Sequence, residues 1–413
     1  ALEIEIDREV NSRKTLLFSL GVLREDGTTD LKCLRGLVAS AYLRDKRPPP
    51  RTAKGEVSTT RLALEESNDD GLVRVAQTGF AEKIRSTFLP VLRSGVTVPI
   101  TPRFVPLVET GRTSCRSPNL QNLPRDDRLR SCFVPRDGYV FVTCDYEVAE
   151  LASLAQVLLC LFNRSEMAHA LRQGRDLHLV TAADILGVSY EEASARYKNG
   201  DVKAQEARSL SKCLNFGLPA GLGVRSFCAF AKNFGVEVSE DAAWSLKAQW
   251  LDLYPEMIDY FEWVSLRAQG RWDLVHPITG FVRGNVTYTS GANTMFQHLT
   301  AIGAKRALYT VVRESLSDPL SGLYGSRVVN FIHDEILIEA PSSSFNIAAS
   351  RLEEVMVDEM KVYLPDVPVG VQSCAMLRWA KGAKPVYDSL GNLVVWEGNS
   401  AKTLANDAHC AVA

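Results

Sequence analysis

The sequence lacks most of the features that mark a specialised class. It has no CxxC pair, and its nine cysteines, from Cys33 to Cys410, are odd in number and scattered through apolar stretches. That reads as reduced, intracellular thiols rather than a disulfide framework. No apolar run can span a bilayer: the longest, Val148 to Phe162, is short and is broken by Glu150, Ser153 and Gln156. No signal peptide opens the chain, and there is no internal repeat or low-complexity tract. Charge of one sign is missing too, since Lys+Arg 47 against Asp+Glu 49 leaves a net charge of −2. No global positive field would draw the chain to a polyanion, so any nucleic-acid surface must be made of clustered basic residues. What is present is ordinary for a folded globular protein, with 46% hydrophobic and 23% charged residues in a chain of 413. At roughly 150 residues per domain, that length predicts two or three domains.

Along the chain, helical patterning in the first hundred residues is interrupted by Leu43 to Glu56 (LRDKRPPPRTAKGE). Three consecutive prolines enforce an extended backbone, from which Lys46, Arg47, Arg51 and Lys54 would project as a solvated loop or a phosphate-contacting arm. Helical patterning resumes from Leu62 to Leu92, with a break near Asn68 to Gly71. The run YVFVTC (Tyr139 to Cys144), after the Asp137-Gly138 turn signal, predicts a buried strand ending on Asp145. A helix is expected over Val148 to Phe162, then a long helical stretch to about Gln269. Val328 to Ile332 and Glu335 to Glu339 predict a β-hairpin turning at His333-Asp334. The order predicts an α+β fold in which a helical insertion interrupts a sheet.

Asp145 and Asp334 thus stand where strands end or turn, and carboxylates so placed can converge at one sheet edge. Two such groups with open coordination positions suit a pair of Mg²⁺ ions about 4 Å apart, although an Asp after a strand is equally a turn former or helix cap. Arg208, Lys212 and Phe216 are spaced by four, which puts two cations and a ring on one helical face at steps of about 6 Å. That row matches an extended nucleoside triphosphate; an amphipathic helix with a basic stripe and a core Phe is the alternative. His178 in GRDLH is a further phosphate-ligand candidate or a structural hydrogen-bonder. Glu150 is either a solvated helix-face acid or a gate beside the metals. Thr113 to Pro124 (TSCRSPNLQNLP), flanked by Arg112, Arg125, Arg128 and Arg130, supplies Asn119, Gln121 and Asn122. It is a surface loop or a surface tracking phosphates and minor-groove acceptors, which Asn293 and Gln297 would extend.

Taken together, these segments resemble family A DNA polymerases, in that family's order. GRTSCRSPNLQNLPR (Gly111 to Arg125) resembles the signature before the palm, DYEVAEL (Asp145 to Leu151) motif A, Arg208-x3-Lys212-x3-Phe216-Gly217 motif B, and His333-Asp334-Glu335 motif C. The resemblance runs from about residue 10 to 383. It implies a right-hand fold with a helical thumb over residues 1–108, an antiparallel-sheet palm over 109–165 and 286–385, helical fingers over 166–285, and a tail over 386–413 to which no function is assigned.

The resemblance further implies that Asp145, Asp334 and the Tyr146 backbone hold two Mg²⁺ ions, with Mn²⁺ a possible substitute. Arg208, Lys212 and His178 would bind the triphosphate, with Lys212 a proton donor to the leaving pyrophosphate, and Phe216 would pack on the sugar and base. Glu150 would exclude a 2′-hydroxyl. Arg112, Gln297 and His333 would follow the primer terminus, and Asn119, Gln121, Asn122, Asn293 and Glu335 belong to the same primer-template surface. The implied partners are primer-template DNA and dNTPs, with an RNA template open and no membrane. A monomer is expected, in the cytoplasm of a bacterium or phage-infected cell, or in an organelle.

Two departures from the family stand out. Motif A carries Glu147, an extra carboxylate. Ala220 stands where the family has a Tyr that would stack at the template position, which predicts looser control of the templating base. Phe216 in place of Tyr predicts discrimination against dideoxynucleotides. The residues before the thumb leave no room for a proofreading exonuclease, so none is expected. The rival readings are RNA-templated synthesis or a single-subunit RNA polymerase on the same palm, and a non-catalytic primer-template binding subunit.

Overall fold

The computed structural model describes residues 2–52, 54–124 and 126–398; Arg125 and the polar end after residue 398 lie outside the described residues. The chain forms two compact units, one of residues 1–103 and 116–133, the other of 104–115 and 134–413.

In the first unit, Leu2–Ser19, Leu31–Arg44, Arg61–Glu65, Asp70–Lys83 and Leu89–Gly95 are α-helices, with a π turn at Ile84–Phe88. Asp30, Thr60 and Asp69 cap helix starts by accepting from backbone N–H groups that have no partner within the helix. Leu17, Val22, Leu34, Val38, Leu72 and Val75 form the main core. The proline segment is neither helix nor ladder strand, with an isolated antiparallel bridge between Arg51 and Val57, and its cations are not equally free. Arg47 stacks over Tyr42 at 4.7 Å, pairs with Asp45 at 2.8 Å and donates to the Glu66 carbonyl at 2.7 Å. Arg51 donates to the Gly55 carbonyl at 2.6 Å, while Lys46 and Lys54 are exposed. Arg128 and Arg130 depart from the surface reading: Arg128 bonds Asp126 and Glu9, and buried Arg130 donates to the Leu123 and Pro124 carbonyls.

The second unit is built on a six-stranded sheet in the order Arg327–Ile332, Glu335–Pro341, Tyr139–Glu147, Gly370–Met376, Leu393–Trp396, Val386–Tyr387. Only the Leu393–Trp396 strand runs parallel to its neighbour Gly370–Met376. Tyr139–Glu147 is paired on both edges and is buried on both faces from Val140 to Cys144, which explains its run of apolar residues. That strand does not stop at Asp145. Pairing continues to Glu147↔Gly370, and the chain leaves the sheet only at Val148, whose φ of 48° and ψ of 31° are left-handed. A β-branched residue rarely occupies that region, so the strand-to-helix turn is strained just beyond the candidate metal ligand. The tail also contributes more than one strand, because Val386–Tyr387 and Leu393–Trp396 extend the sheet as a hairpin.

Helices cover the sheet. Ala149–Phe162 is apolar nearly all round, as a helix buried on all sides must be, and it packs on the 30-residue helix Tyr288–Ser317. Phe345–Lys361 packs on the sheet, and the Tyr146 hydroxyl donates to the Met356 carbonyl at 2.6 Å. Between the strand at 139–147 and the hairpin, the chain forms the helices Glu166–Arg172, Leu177–Leu186, Tyr190–Lys198, Val202–Gly217, Val224–Lys232, Glu240–Leu253 and Glu256–Arg267. The result is the α+β architecture expected, a sheet interrupted by a helical insertion. No helix among the described residues is long and apolar enough to cross a membrane.

Candidate active site

Asp145 is directly opposite Glu335 on one neighbouring strand and Gln372 on the other. Alternation sends Thr143, Asp145 and Glu147 to one face, and Cys144 and Tyr146 to the other. Two carboxylates facing each other across a strand pair repel and destabilise the sheet, so the fold retains this pair at a cost. Asp334 joins them through the hairpin turn: its N–H donates to the Ile332 carbonyl at 2.8 Å, closing a γ-turn on His333, whose φ is +61°. That conformation is unusual for a side chain larger than glycine and sits at the candidate centre.

The carboxyl groups also feel one another's charge. Burial pushes the Asp145 carboxyl up to about 7, helped by the charges of Asp334 and Glu335. Burial also raises Asp334, against the pull of Arg112. One cation answers the cluster directly: Lys381 Nζ lies 3.2 Å from Glu335 Oε2 and lines the same cleft as Asp145, Glu147 and Glu335.

Among the described residues no group of three or more His, Cys, Asp or Glu could hold a metal ion by itself. Mg²⁺ is commonly held by one or two carboxylates plus substrate phosphates, and Asp145 and Asp334 provide hard oxygen donors that fit it. Lys381 competes with a cation for this field. Lys381→Met is expected to tighten Mn²⁺ binding without nucleotide, on the order of fivefold, as read by the electron paramagnetic resonance signal of free Mn²⁺. Unchanged affinity would show that the ammonium charge does not reach the cluster.

The second constellation lies on Val202–Gly217. Arg208 Nη2 and Nε bond Asp176 Oδ2 at 2.7 and 3.1 Å, and its guanidinium lies over the Tyr197 ring at 4.8 Å. Asp176 has a second task, since its Oδ1 caps the helix Leu177–Leu186 through the His178 and Leu179 N–H groups. Burial would raise this carboxyl, but the Arg208 bond and charge together with the His178 N–H hold it below its ordinary value. Burial, followed by the Arg208 charge, lowers Lys212. Phe216 is 38% exposed, and its ring centroid is 5.2 Å from that of His178. The Arg, Lys, His and Phe expected at a triphosphate site thus stand on adjoining helices.

His178 is neutral here, because burial lowers it to about 4. Its tautomer follows from its neighbours. Trp250 Nε1, which can only donate, bonds Asn215 Oδ1 at 2.8 Å, so the Asn215 amide nitrogen faces His178 Nδ1 at 3.2 Å. Nδ1 accepts, and the proton sits on Nε2. His178 is therefore a hydrogen-bond donor and not a third cation.

Arg112 and Glu150 form an ion pair, with side chains 26% and 24% exposed. Burial lowers the Arg112 pKa, which the Asp334 carboxylate opposes. Burial followed by the Arg112 charge lowers His333, whose Nδ1 is buried without a partner among the described residues. Arg112, Glu150, His333 and Asp334 thus gather around one centre. Asn293 and Gln297 are half-buried on Tyr288–Ser317. Just beyond them, His298 stacks on Phe281 at 4.0 Å and packs so closely on Gly111, at φ +82°, that a Cβ there would strike its ring. In the first unit, Asn119 and Asn122 are exposed and Gln121 is buried.

Sequence reasoning missed Lys381, Asp176 and Asn215. Asp176 carried a signal, two residues before His178 and ahead of an apolar run. Asn215 and Lys381 carried none, since their partners are distant in sequence and only folding assembles them.

DNA polymerase family A matches residues 37–381, ending before the last two strands. The DNA polymerase I of Aquifex aeolicus (strain VF5) is 28% identical over 336 residues, 80% of this chain and 55% of the relative. That of Pseudomonas aeruginosa is 29% identical over 369 residues, 82% of this chain and 37% of the relative. The chain spans about half, or less, of the length of these curated relatives. The solved POL domain of Pol1 from M. smegmatis, in complex with DNA primer-template and dNTP, has the same fold at a TM-score of 0.67. It is 21% identical, and the match covers 92% of this chain and 65% of that one.

Proposed function

The chain belongs to DNA polymerase family A, and from that premise we propose that it adds deoxynucleotides to a primer 3′-hydroxyl in the order a DNA template dictates. The observation that carries this reading is the convergence of Asp145 and Asp334, far apart in sequence, at one end of the sheet. In this reading residues 1–108 are the thumb, 109–165 and 286–385 the palm, and 166–285 the fingers. The chain acts as a monomer.

Asp145, Asp334 and the Tyr146 carbonyl would hold two Mg²⁺ ions, or Mn²⁺ in their place, which when bound supply Lewis-acid activation and charge neutralisation at the reacting phosphate. The protein's own residues orient the reactants. The primer 3′-hydroxyl gives up its proton to solvent as its oxygen forms a bond to the α-phosphorus and the bond to pyrophosphate breaks, and Lys212, its pKa already lowered, gives a proton to the leaving oxygen. Arg208 and the Nε2–H of His178 bind phosphate oxygens, and Phe216 packs on sugar and base. On the minor-groove side Arg112, His333, Gln297, Asn293 and Glu335 follow the primer terminus, and the unpartnered His333 Nδ1 is the atom that supports this role best. Asn119, Gln121 and Asn122, with Lys46, Arg47, Arg51 and Lys54, belong to the primer-template surface of the thumb side.

Glu150 is the sugar gate, and its pairing with Arg112 keeps it from swinging aside. Glu150→Ala is expected to raise ribonucleotide use relative to deoxynucleotide use about tenfold to a hundredfold, measured as the ratio of kcat/KM values; an unchanged ratio removes Glu150 from this role.

Gel-resolved primer extension on DNA and RNA templates, with dNTPs or NTPs and Mg²⁺ or Mn²⁺, tests the reading against Asp145→Asn as the control. Extension on DNA above that control is expected. Primer-template binding without extension would make the chain a binding subunit, and extension on RNA would add reverse transcription.

A further inference from the structure

The face of the helix Val202–Gly217 that carries Arg208, Lys212 and Phe216 continues into the 3-10 turn Leu218–Ala220. One step beyond Phe216 on that face stands Ala220, which offers a methyl group and no ring. The next residue, Gly221, has φ +79°, and a Cβ placed on it would lie 2.6 Å from Tyr288 Cε1, 3.3 Å from Cδ1 and 3.5 Å from Cζ. The Tyr288 ring therefore rests on bare backbone directly after Ala220, in space that any side chain at 221 would take.

Tyr288 is held there firmly. It is the first residue of Tyr288–Ser317, whose start is fixed by a capping box between Thr287 and Ser290, with the Thr287 N–H donating to Ser290 Oγ at 2.8 Å. One turn on, Gly291 packs against the Trp272 indole, with a Cβ-to-Cζ2 approach of 3.0 Å. The ring is half-buried, and burial raises its hydroxyl pKa. It is supported from behind and retains accessible surface, as a stacking platform requires.

We propose that Tyr288 is the ring against which the templating base stacks, taking from a different element the place left empty by Ala220. The proposal rests on the polymerase reading above. A base needs a flat, polarisable partner there, and aromatic stacking holds any of the four bases without reading its edges. The loose control of the templating base expected from Ala220 is then compensated within the fold. Gly221 has its reason as well, since a larger residue would displace the platform.

The decisive measurement uses the unmodified chain. A primer-template carrying 5-iodouracil as the templating base is irradiated with the protein, and the adduct is mapped by mass spectrometry. An adduct on Tyr288 is expected; an adduct confined to other residues, from a chain that extends the same primer, overturns the proposal alone. A chain that extends no primer overturns the polymerase reading and this one together. Variants give a second readout. Tyr288→Leu should lower the ratio of correct to incorrect incorporation about tenfold, Tyr288→Phe should leave it near that of the parent, and Ala220→Tyr combined with Tyr288→Ala should recover it. Equal ratios for the Leu, Phe and parent proteins would overturn the platform role.

Discussion

Asp145→Asn is expected to abolish nucleotide addition, by about 10³-fold or more in kcat, while raising the melting temperature of the protein in EDTA. The first half follows from the ligand set. In the proposed reading Asp145 and Asp334 are the donors on which cation binding rests, and charge stabilisation of this kind accounts for several kcal/mol of the barrier. The second half follows from the cost of the cluster. Asp145 stands opposite Glu335, is half-buried, and is raised to about 7 by partial burial and by its acidic neighbours. An amide of the same shape removes one repelling charge and can still accept hydrogen bonds. A gain on the order of 1 kcal/mol is expected, the size typical of like charges opposed across strands. Single-turnover extension and thermal melts, with and without Mg²⁺, check the two halves separately. A metal-free variant less stable than the parent would mean that the carboxylate is structural, and a variant that still extends primer would remove Asp145 from the centre.

His178 gives the contrasting pH behaviour. Its folded pKa, about 4, lies below the ordinary value of about 6.5 for an unfolded chain. The stability it contributes is complete above pH 6.5 and is lost as pH falls toward 4, up to about 3 kcal/mol in all. Its charge does not change between pH 6 and 8, so it introduces no titration into the KM for dNTP over that range.

Legibility in the sequence tracked how local each signal is. The strand at 139–147 and the hairpin at 327–341 were readable because buried strands concentrate β-branched and aromatic residues, and the His333-Asp334 turn separates two such runs. The spacing of Arg208, Lys212 and Phe216 was readable because helical periodicity is local. The end of the strand at 139–147 was misplaced by two residues, since continued pairing to Glu147 depends on Gly370, more than two hundred positions away. Arg128 and Arg130 looked like surface cations because composition does not tell a guanidinium facing solvent from one capping carbonyls. Lys381 and Tyr288 could not be read at all: each matters through one tertiary neighbour, Glu335 in one case and Gly221 in the other.

Lys212 offers the second large effect, and the sharper division of roles. Removing one preorganised cation from a developing phosphate charge typically costs 10²- to 10³-fold in rate, and Lys212→Ala should lose about that much in kcat. Lys212→Arg separates binding from proton transfer. A guanidinium keeps the positive charge beside the triphosphate but does not give up a proton at accessible pH, so KM for dNTP should stay near that of the parent while kcat falls with that of the Ala variant. Arg208 supplies a further check through the electric field. Burial, and after it the Arg208 charge, lowers the Lys212 pKa. Removing that charge in Arg208→Ala raises the pKa, so the alkaline limb of the kcat profile, where the acid is lost, should move to higher pH even as KM for dNTP rises. An alkaline limb that stays in place in Arg208→Ala, or full kcat in Lys212→Arg, would assign Lys212 to phosphate binding alone and leave the proton for the leaving group to water.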